Sequence, residues 1–468
     1  MRPHGAMITA AAAAVLAAGC ASLEPGAYRI DRAVEAERLR QGVPGVSVAV
    51  ISHGEVRRLA GYGEANVEHR VPATASTVFE SGSVGKQFTA AAVLLAVADG
   101  KLALDDPVTR FFPDAPAAWR PITVRHLLAH TSGIPDYDEE TIDVRRDYGD
   151  DELARFAYAL PLEFAAGTRW NYSNTGYVLL GILVKRATGR HYADILRERV
   201  FVPLGMTSAR LISEDDIVPN RAAGYRRVDG QLKNQEWVSP SLNTTADGSL
   251  YLSAADMVGW NAGIRSEAIL GREAWDATFT PVRLASGRTF PYGFGWEIDE
   301  VAGRRRIHHD GAWQGFTAAI ARYPDDDLAI AVFCNAASAD PNRFVDVIAA
   351  LFDVRLAPPP LVAIPDPEPE IAVRLRELLR KTAAGSLSRE ELAYVRAPFF
   401  KGAAARYQRE LAPLGDPTQI ALLERRELGD DVVRRYRVDF GAKVFRVTLG
   451  IAPDGKISLL SIREEPER

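Results

Sequence analysis

Residues 81–87 read SGSVGKQ and stand directly before the apolar run FTAAAVLLAVADG. Within them Ser83 and Lys86 form the one Ser-x-x-Lys of the chain. A serine hydroxyl attacks an acyl carbon only when a base takes its proton. A lysine three residues on shares a face of the first helical turn with the serine, so the two side chains can meet. The field of a helix N-terminus disfavours an ammonium there and pulls its pKa from ~10.4 towards a neutral amine. The same residues also read as ordinary capping, with Ser81 or Ser83 as N-cap and Lys86 in solvent.

Two further stretches carry chemistry of a matching kind. Tyr172-Ser173-Asn174, in WNYSNTGY, is the one Tyr-x-Asn. A phenol near a lysine can relay a proton to a leaving group, and a carboxamide can hold both an amine and a substrate amide. An aromatic core residue beside a helix cap accounts for the same text. In RRRIHHDGAWQGF, His309-Asp310-Gly311 lies on a late strand running past glycines. Such a strand edge lets backbone approach a ligand and offers N–H groups to a developing oxyanion. Its plain alternative is a polar edge strand. Trp313 and Phe316 beside it read equally as cleft wall or core.

The elements that must position these residues follow from patterning. GVPGVSVAVISHGEVRRLAGYGEAN holds two β-rich runs split by His53-Gly54, a hairpin signature. A helix is expected from about Val84 to Asp99, followed by mostly helical text to about residue 265, with glycines closing helices. Strand signals return in YGFGWEI, RRRIHHDGAWQGFTAAIARYP and DLAIAVFCNA, and PNRFVDVIAALFDVRL is a terminal helix. Strands, a helical insertion and strands again predict an α+β architecture. An antiparallel sheet, completed by both ends of residues 30–355, is flanked by helices. Residues 356–370, around APPPLVAIPDPEPE, read as a proline-rich linker. Residues 371–468 read as a small α+β domain of helices and then an antiparallel meander, without a catalytic constellation or an assignable partner.

Composition bounds the function classes. The chain has 468 residues, 47% apolar and 25% charged, with a net charge of -5. That balance is ordinary for a globular protein and points to no nucleic-acid partner. The start, MRPHGAMITAAAAAVLAAGC, has a basic end, a short apolar stretch and small residues before Cys20. It reads as a signal peptide over residues 1–20. Cys334 is the other cysteine and sits in an apolar strand, which raises a thiol pKa and argues against a nucleophile. His126 and His130 have the i, i+4 spacing of a metal pair without the glutamate that would accompany it. No metal and no cofactor are expected. The run Arg304 to Arg306 reads as a solvated edge, and no Gly-x-Ser-x-Gly elbow occurs.

In this order and spacing, the three constellations resemble the serine β-lactamase and penicillin-binding-protein superfamily. The branch resembled is that of the class C β-lactamases, which also holds DD-peptidases, D-aminopeptidases and carboxylesterases. ITVRHLLAHTSGIPDY, GTRWNYSNTGYVLLG, FVPLGMTSAR and GSLYLSAADMVGW extend the likeness over roughly residues 30 to 355. It implies Ser83 as the acylated nucleophile with Lys86 as base partner. Tyr172 would share the base role and protonate the leaving group, and Asn174 would orient Lys86 and substrate. His309, Asp310 and Gly311 would line the substrate site, and the N–H groups of Ser83 and Ala312 would form the oxyanion hole. LAAGC resembles a lipoprotein signal, which implies lipidation of Cys20 and a place on the bacterial cell-envelope membrane surface.

Asp310 departs from the Thr or Ser usual in lactam-binding members. A carboxylate there would repel a substrate carboxylate, and His309 supplies less charge than a lysine. The expectation is therefore an exported serine hydrolase of esters or amides, of peptide or D-amino-acid type. A β-lactamase or D-Ala-D-Ala carboxypeptidase is one alternative, and a non-hydrolysing penicillin-recognising sensor another.

Overall fold

The computed structural model describes residues 25–137, 142–393 and 399–465. The expected signal peptide and Cys20 lie outside them.

The strand Gly45–Ser52 is buried at every position. Its run of Val, Ala and Ile is what a strand covered on both faces requires, since neither face meets water. It pairs antiparallel with Leu328–Cys334 on one side and Glu55–Asn66 on the other, so the two ends of the first 350 or so residues close one sheet. Among the described residues the order is 297–301, 304–313, 316–323, 328–334, 45–52, 55–66 and 71–72. The hairpin between the first two strands turns at His53 and Gly54, with φ of 53° and 77°, the left-handed pair that a tight hairpin needs. The expected fold is thus observed.

Helices cover both faces. Pro25–Gln41, which the sequence reading passes over, packs with Pro341–Phe352 on one face; Ile30, Val34, Phe344 and Ile348 join Val46, Val48 and Val332 there. The helical insertion covers the other face with the largest apolar cluster, including Phe79, Phe88, Leu179 and Trp260. At its centre runs Lys86–Ala98, in which residues 86–96 are all buried. A helix apolar all round belongs inside a core. Its first turn is displaced from the expectation: Gly82–Gly85 is a 3-10 turn, and the α-helix begins at Lys86. A 3-10 turn eclipses positions i and i+3, which brings Ser83 and Lys86 closer than an α turn would.

Residues 357–368 hold no helix or strand and lie along the last sheet, where the Ile364 N–H donates to Leu422 O at 2.8 Å. Beyond them, Pro369–Ala383 and Ala405–Leu411 pack on a four-stranded meander of Gln419–Leu428, Asp431–Asp439, Val444–Ile451 and Ile457–Glu464. Leu375, Leu379, Tyr436 and Val447 centre an apolar cluster of its own. This is the helices-then-meander order expected.

Candidate active site

The strand Val78–Glu80 pairs with Leu250–Ser253 and delivers the chain into the 3-10 turn carrying Ser83. Strand Arg304–Trp313 presses on that turn. A Cβ on Gly82 (φ 50°) would lie 2.5 Å from Ala312 N, and one on Gly311 would lie 2.7 Å from Ser83 N and 2.4 Å from Ser81 O. Glycine at both positions is the condition for this approach. Strand Glu297–Val301 pairs only as far as His308, so residues 309–313 present an open edge. The two-residue turn Gln314-Gly315 makes Trp313 and Phe316 the closing pair. Antiparallel alternation then turns the Ala312 N–H away from its neighbour and out to the open edge. Ser83 and Ala312 thus bring two backbone donors together.

Lys86 is fully buried. Its Nζ donates to Ser83 Oγ at 2.9 Å, to Asn174 Oδ1 at 2.7 Å and to Asp247 O. Burial pulls its pKa down to about 8, against the opposing charges of Asp247 and Asp136. Desolvation makes the neutral amine accessible. The Tyr172 ring centroid is 4.9 Å from Lys86 Nζ, and its phenol interacts with the Ser83 side chain. Burial pushes its phenol well above the ordinary value, so Tyr172 keeps its proton where Lys86 gives one up. The two directions suit Lys86 to take up a proton and Tyr172 to give one.

Asn174 opens the helix Asn174–Thr188, capped by Ser173, whose Oγ accepts from Gly176 N at 3.2 Å. Its carboxamide is oriented from behind. Asn174 Nδ2 donates to Asp136 Oδ2 at 3.1 Å, and Asp136 Oδ1 accepts the N–H of Asn174 at 2.6 Å and of Thr175 at 3.2 Å. That leaves Asn174 Oδ1 for Lys86. The Asp247 carboxylate accepts from Tyr137 Oη and Thr245 Oγ1, each at 2.6 Å, and so fixes the loop whose carbonyl Lys86 uses. Neither aspartate is singled out in sequence. Asp136 stands in GIPDY and Asp247 in ADGS, and only the fold brings them to Lys86.

His309 is buried, and its ring is held at both nitrogens. Nδ1 lies 2.6 Å from Asp310 O and must donate to that carbonyl, so Nε2, 3.0 Å from Tyr292 Oη, accepts. The chain of bonds continues to His130. Its Nδ1 accepts from Ser173 N at 3.1 Å, leaving Nε2–H to donate to Tyr292 Oη at 3.2 Å. Burial, and then the charge of Lys86, lower His309 to about 4, so the ring is a neutral imidazole.

Asp310 corrects an expectation. Strand alternation turns its side chain to the opposite face of the sheet, where its carboxylate accepts from Asn342 Nδ2 of the terminal helix at 2.9 Å. It does not face Ser83 and is not a substrate-binding side chain, so the argument from carboxylate repulsion falls. What remains at this motif is the uncharged His309.

The other residues weighed in sequence find plain places. Phe316 is core, edge-on to Phe79, while Trp313 is half-buried at the strand end and donates from Nε1 to Asn243 Oδ1 at 2.8 Å. His126 caps its own helix at Thr123 and does not converge with His130. Arg304 pairs with Asp326 and Arg306 with Asp299, tying that edge to the chain itself. Cys334 is buried and free, and burial pushes its thiol up. Donor atoms of Glu297, His309 and Asp310 lie within 4.8 Å of one another, but both His309 nitrogens already hold hydrogen bonds within the chain.

Residues 30–353 match the family model described as Beta-lactamase. Penicillin-binding protein 4* of Bacillus subtilis (strain 168) is 29% identical over 299 residues, 60% of this chain and 65% of that protein. A D-aminopeptidase of Gluconobacter oxydans (strain 621H) is 31% identical over 344 residues, 70% of this chain and 63% of that one. The match therefore spans slightly under two thirds of each relative. Among solved structures, the octameric penicillin-binding protein homologue from Pyrococcus abyssi superposes with a TM-score of 0.61 at 26% identity, covering 90% of both chains. D-amino acid amidase from Ochrobactrum anthropi SV3 gives 0.61 at 27% identity, covering 69% of this chain and 97% of its own.

Proposed function

This chain belongs to the beta-lactamase family, and we propose that it is a serine hydrolase that cleaves uncharged esters and amides, of D-amino-acid type, through an acyl-enzyme on Ser83. The observation that carries the reading is the buried Lys86 amine, bonded to Ser83 Oγ, Asn174 Oδ1 and Asp247 O. A lysine kept merely for charge would be solvated.

Neutral Lys86 takes the Ser83 proton as Oγ bonds to the substrate carbonyl carbon. The carbonyl oxygen gains charge between the N–H groups of Ser83 and Ala312, and each such donor is worth about 100- to 1000-fold in rate. When the C–N or C–O bond breaks, Tyr172 gives its proton to the departing atom and recovers one from the Lys86 ammonium. Water then adds to the acyl carbon, losing its proton to Lys86, and the acid leaves as Ser83 regains its hydrogen.

Substrate class follows from His309. A site for a free carboxylate needs a fixed positive charge, and the third motif offers a neutral imidazole. That favours an ester or amide over a lactam or a C-terminal D-Ala, in keeping with relatives named D-aminopeptidase and D-amino acid amidase. Export and a lipid anchor on Cys20 belong to the same proposal, supported by the LAAGC ending of the N-terminal stretch.

Fluorophosphonate labelling followed by peptide mapping should mark Ser83, and label undiminished in Ser83→Ala would refute the mechanism. Across nitrocefin, a D-Ala-D-Ala peptide, a D-amino-acid amide and p-nitrophenyl butyrate, the last two should turn over fastest. Palmitate incorporation lost in Cys20→Ser would mark the anchor.

A further inference from the structure

Tyr172 sits on residues 163–173, which form no helix or strand. Its position depends on what packs around it rather than on a backbone ladder. Its ring is 6.3 Å from Trp170, and Trp170 stacks on Phe290 at 4.1 Å with 10° between the planes. Phe290 belongs to the small hairpin of Val282–Arg283 and Thr289–Phe290, which is tied to the Tyr172 loop by the Ala285 N–H donating to Gly167 O at 2.8 Å.

The far side of this hairpin is covered by the C-terminal domain. The turn joining Gln419–Leu428 to Asp431–Asp439 lies on it, with the Gly429 N–H donating to Thr289 O at 3.2 Å. Gly429 has φ of 60°, and a Cβ there would meet Leu284 Cδ1 at 2.8 Å. Arg288 pairs with Glu427 at 2.8 Å. Asp431 Oδ1 meets Nη1 of Arg169, the residue before Trp170, at 3.2 Å, with both side chains less than a quarter exposed. Ion pairs of this kind add little stability. Their geometric effect is to fix both edges of the Trp170 stack.

We propose that the 428–431 turn of the C-terminal domain is a working part of the active site, holding the 282–290 hairpin and Arg169 so that Trp170 sets Tyr172 for proton delivery to the leaving group. Asp431 and Gly429 are positioning residues; they touch no reacting atom. The inference rests on the reading of Tyr172 as the leaving-group acid, and it gives the C-terminal domain a catalytic task instead of a spacer's.

The test compares two substrates with the same acyl group in the full-length protein. A p-nitrophenyl ester leaves without help, whereas the corresponding anilide needs protonation as it leaves. A misplaced Tyr172 penalises the anilide selectively, while a loss of folded enzyme lowers both rates equally. Asp431→Arg is expected to reduce kcat/KM on the anilide by about 10- to 100-fold and on the ester by no more than about threefold. The charge exchange Arg169→Asp with Asp431→Arg should recover most of the anilide rate. Equal losses on both substrates, an unchanged anilide rate, or a double variant no better than Asp431→Arg would overturn the proposal. Gly429→Val, with its melting curve recorded, provides a second perturbation of the same contact and should show the same selectivity. Tyr172→Phe separates the two layers. If it discriminates between leaving groups and Asp431→Arg does not, the docking proposal alone falls. If Tyr172→Phe does not discriminate, the reading of Tyr172 falls and the proposal with it.

Discussion

The pH dependence of acylation offers a direct test of the site, because it reads the protonation state of one buried amine. With Lys86 at about 8, about 9% of the enzyme carries a neutral lysine at pH 7 and about 1% at pH 6. The kcat/KM for an uncharged ester should therefore rise about tenfold per unit below pH 7 and level off above pH 9. Asp136 supplies a sharper perturbation. It is one of the two carboxylates whose charge holds the Lys86 pKa up against burial, and it reaches Lys86 through the Asn174 carboxamide. Asp136→Asn removes the charge while keeping a side chain of the same shape, so the rising limb should move to lower pH. A displacement of about one unit brings the neutral fraction at pH 7 to about a half, roughly fivefold more than in the parent. Poorer orientation of Asn174 lowers the plateau without moving the limb, so position and height separate the two effects. The assay is stopped-flow acylation by a p-nitrophenyl ester from pH 5.5 to 10. A limb above pH 10, a flat profile, or a limb moved upwards in Asp136→Asn would refute the assignment of Lys86 as the base.

Three other outcomes follow. Gly311→Ala places a methyl group 2.4 Å from Ser81 O. It should cost at least about 100-fold in acylation, because the turn and the strand that supply the oxyanion donors are forced apart; activity within tenfold of the parent would contradict the packing. Asp310→Asn, on the other face of the sheet, should leave kcat/KM within about twofold on all substrates, since a surface change away from the site alters little; a selective gain on a carboxylate-bearing substrate would show that Asp310 reaches the site after all. Glu80 is buried with Oε2 unbonded, and burial and Glu214 raise it from 4.5 to about 8. A raised carboxyl contributes stability below its unfolded value that is lost as pH rises through the folded one. Glu80→Gln should therefore melt near the parent at pH 5 and above it at pH 9, and parallel curves by calorimetry would rule this out.

Much of the site was legible because its residues lie close together in the chain or on elements with strong local signals. Ser83 and Lys86 share one turn. Ser173-Asn174 is a helix cap, visible as such from residue type. Gly311 was read as a point of close backbone approach, although Gly82, which lies against the same strand, was not. Asp136, Asp247, Tyr292 and His130 were not legible, because each acts through a contact made across the fold. Asp310 was misjudged for a related reason. Residue type gives its charge, but which face of a strand it occupies depends on register, and a step of one residue exchanges the faces. The helix Pro25–Gln41 was passed over because it follows closely on the apolar N-terminal stretch in sequence and its apolar residues become a core face only against Pro341–Phe352.

By itself the amino-acid sequence supplied the candidate constellation of Ser83, Lys86, Tyr172 and Asn174, through the resemblance its three motifs carry together, along with the sheet completed from both ends and the helices and meander of the last hundred residues. The strands and helices are matters of local spacing and hydrophobic period, whereas each motif taken singly also reads as a cap, a core aromatic or an edge strand, and their conjunction carries the resemblance. The tertiary structure alone set the burial that moves the titrating groups: it lowers the pKa of Lys86 and of His309 and raises that of Tyr172. It also decided that Asp310 looks away from the nucleophile and that a turn more than 250 residues downstream leans on the tyrosine loop. Desolvation and strand facing are properties of the packed molecule, because they depend on what lies around a residue in space.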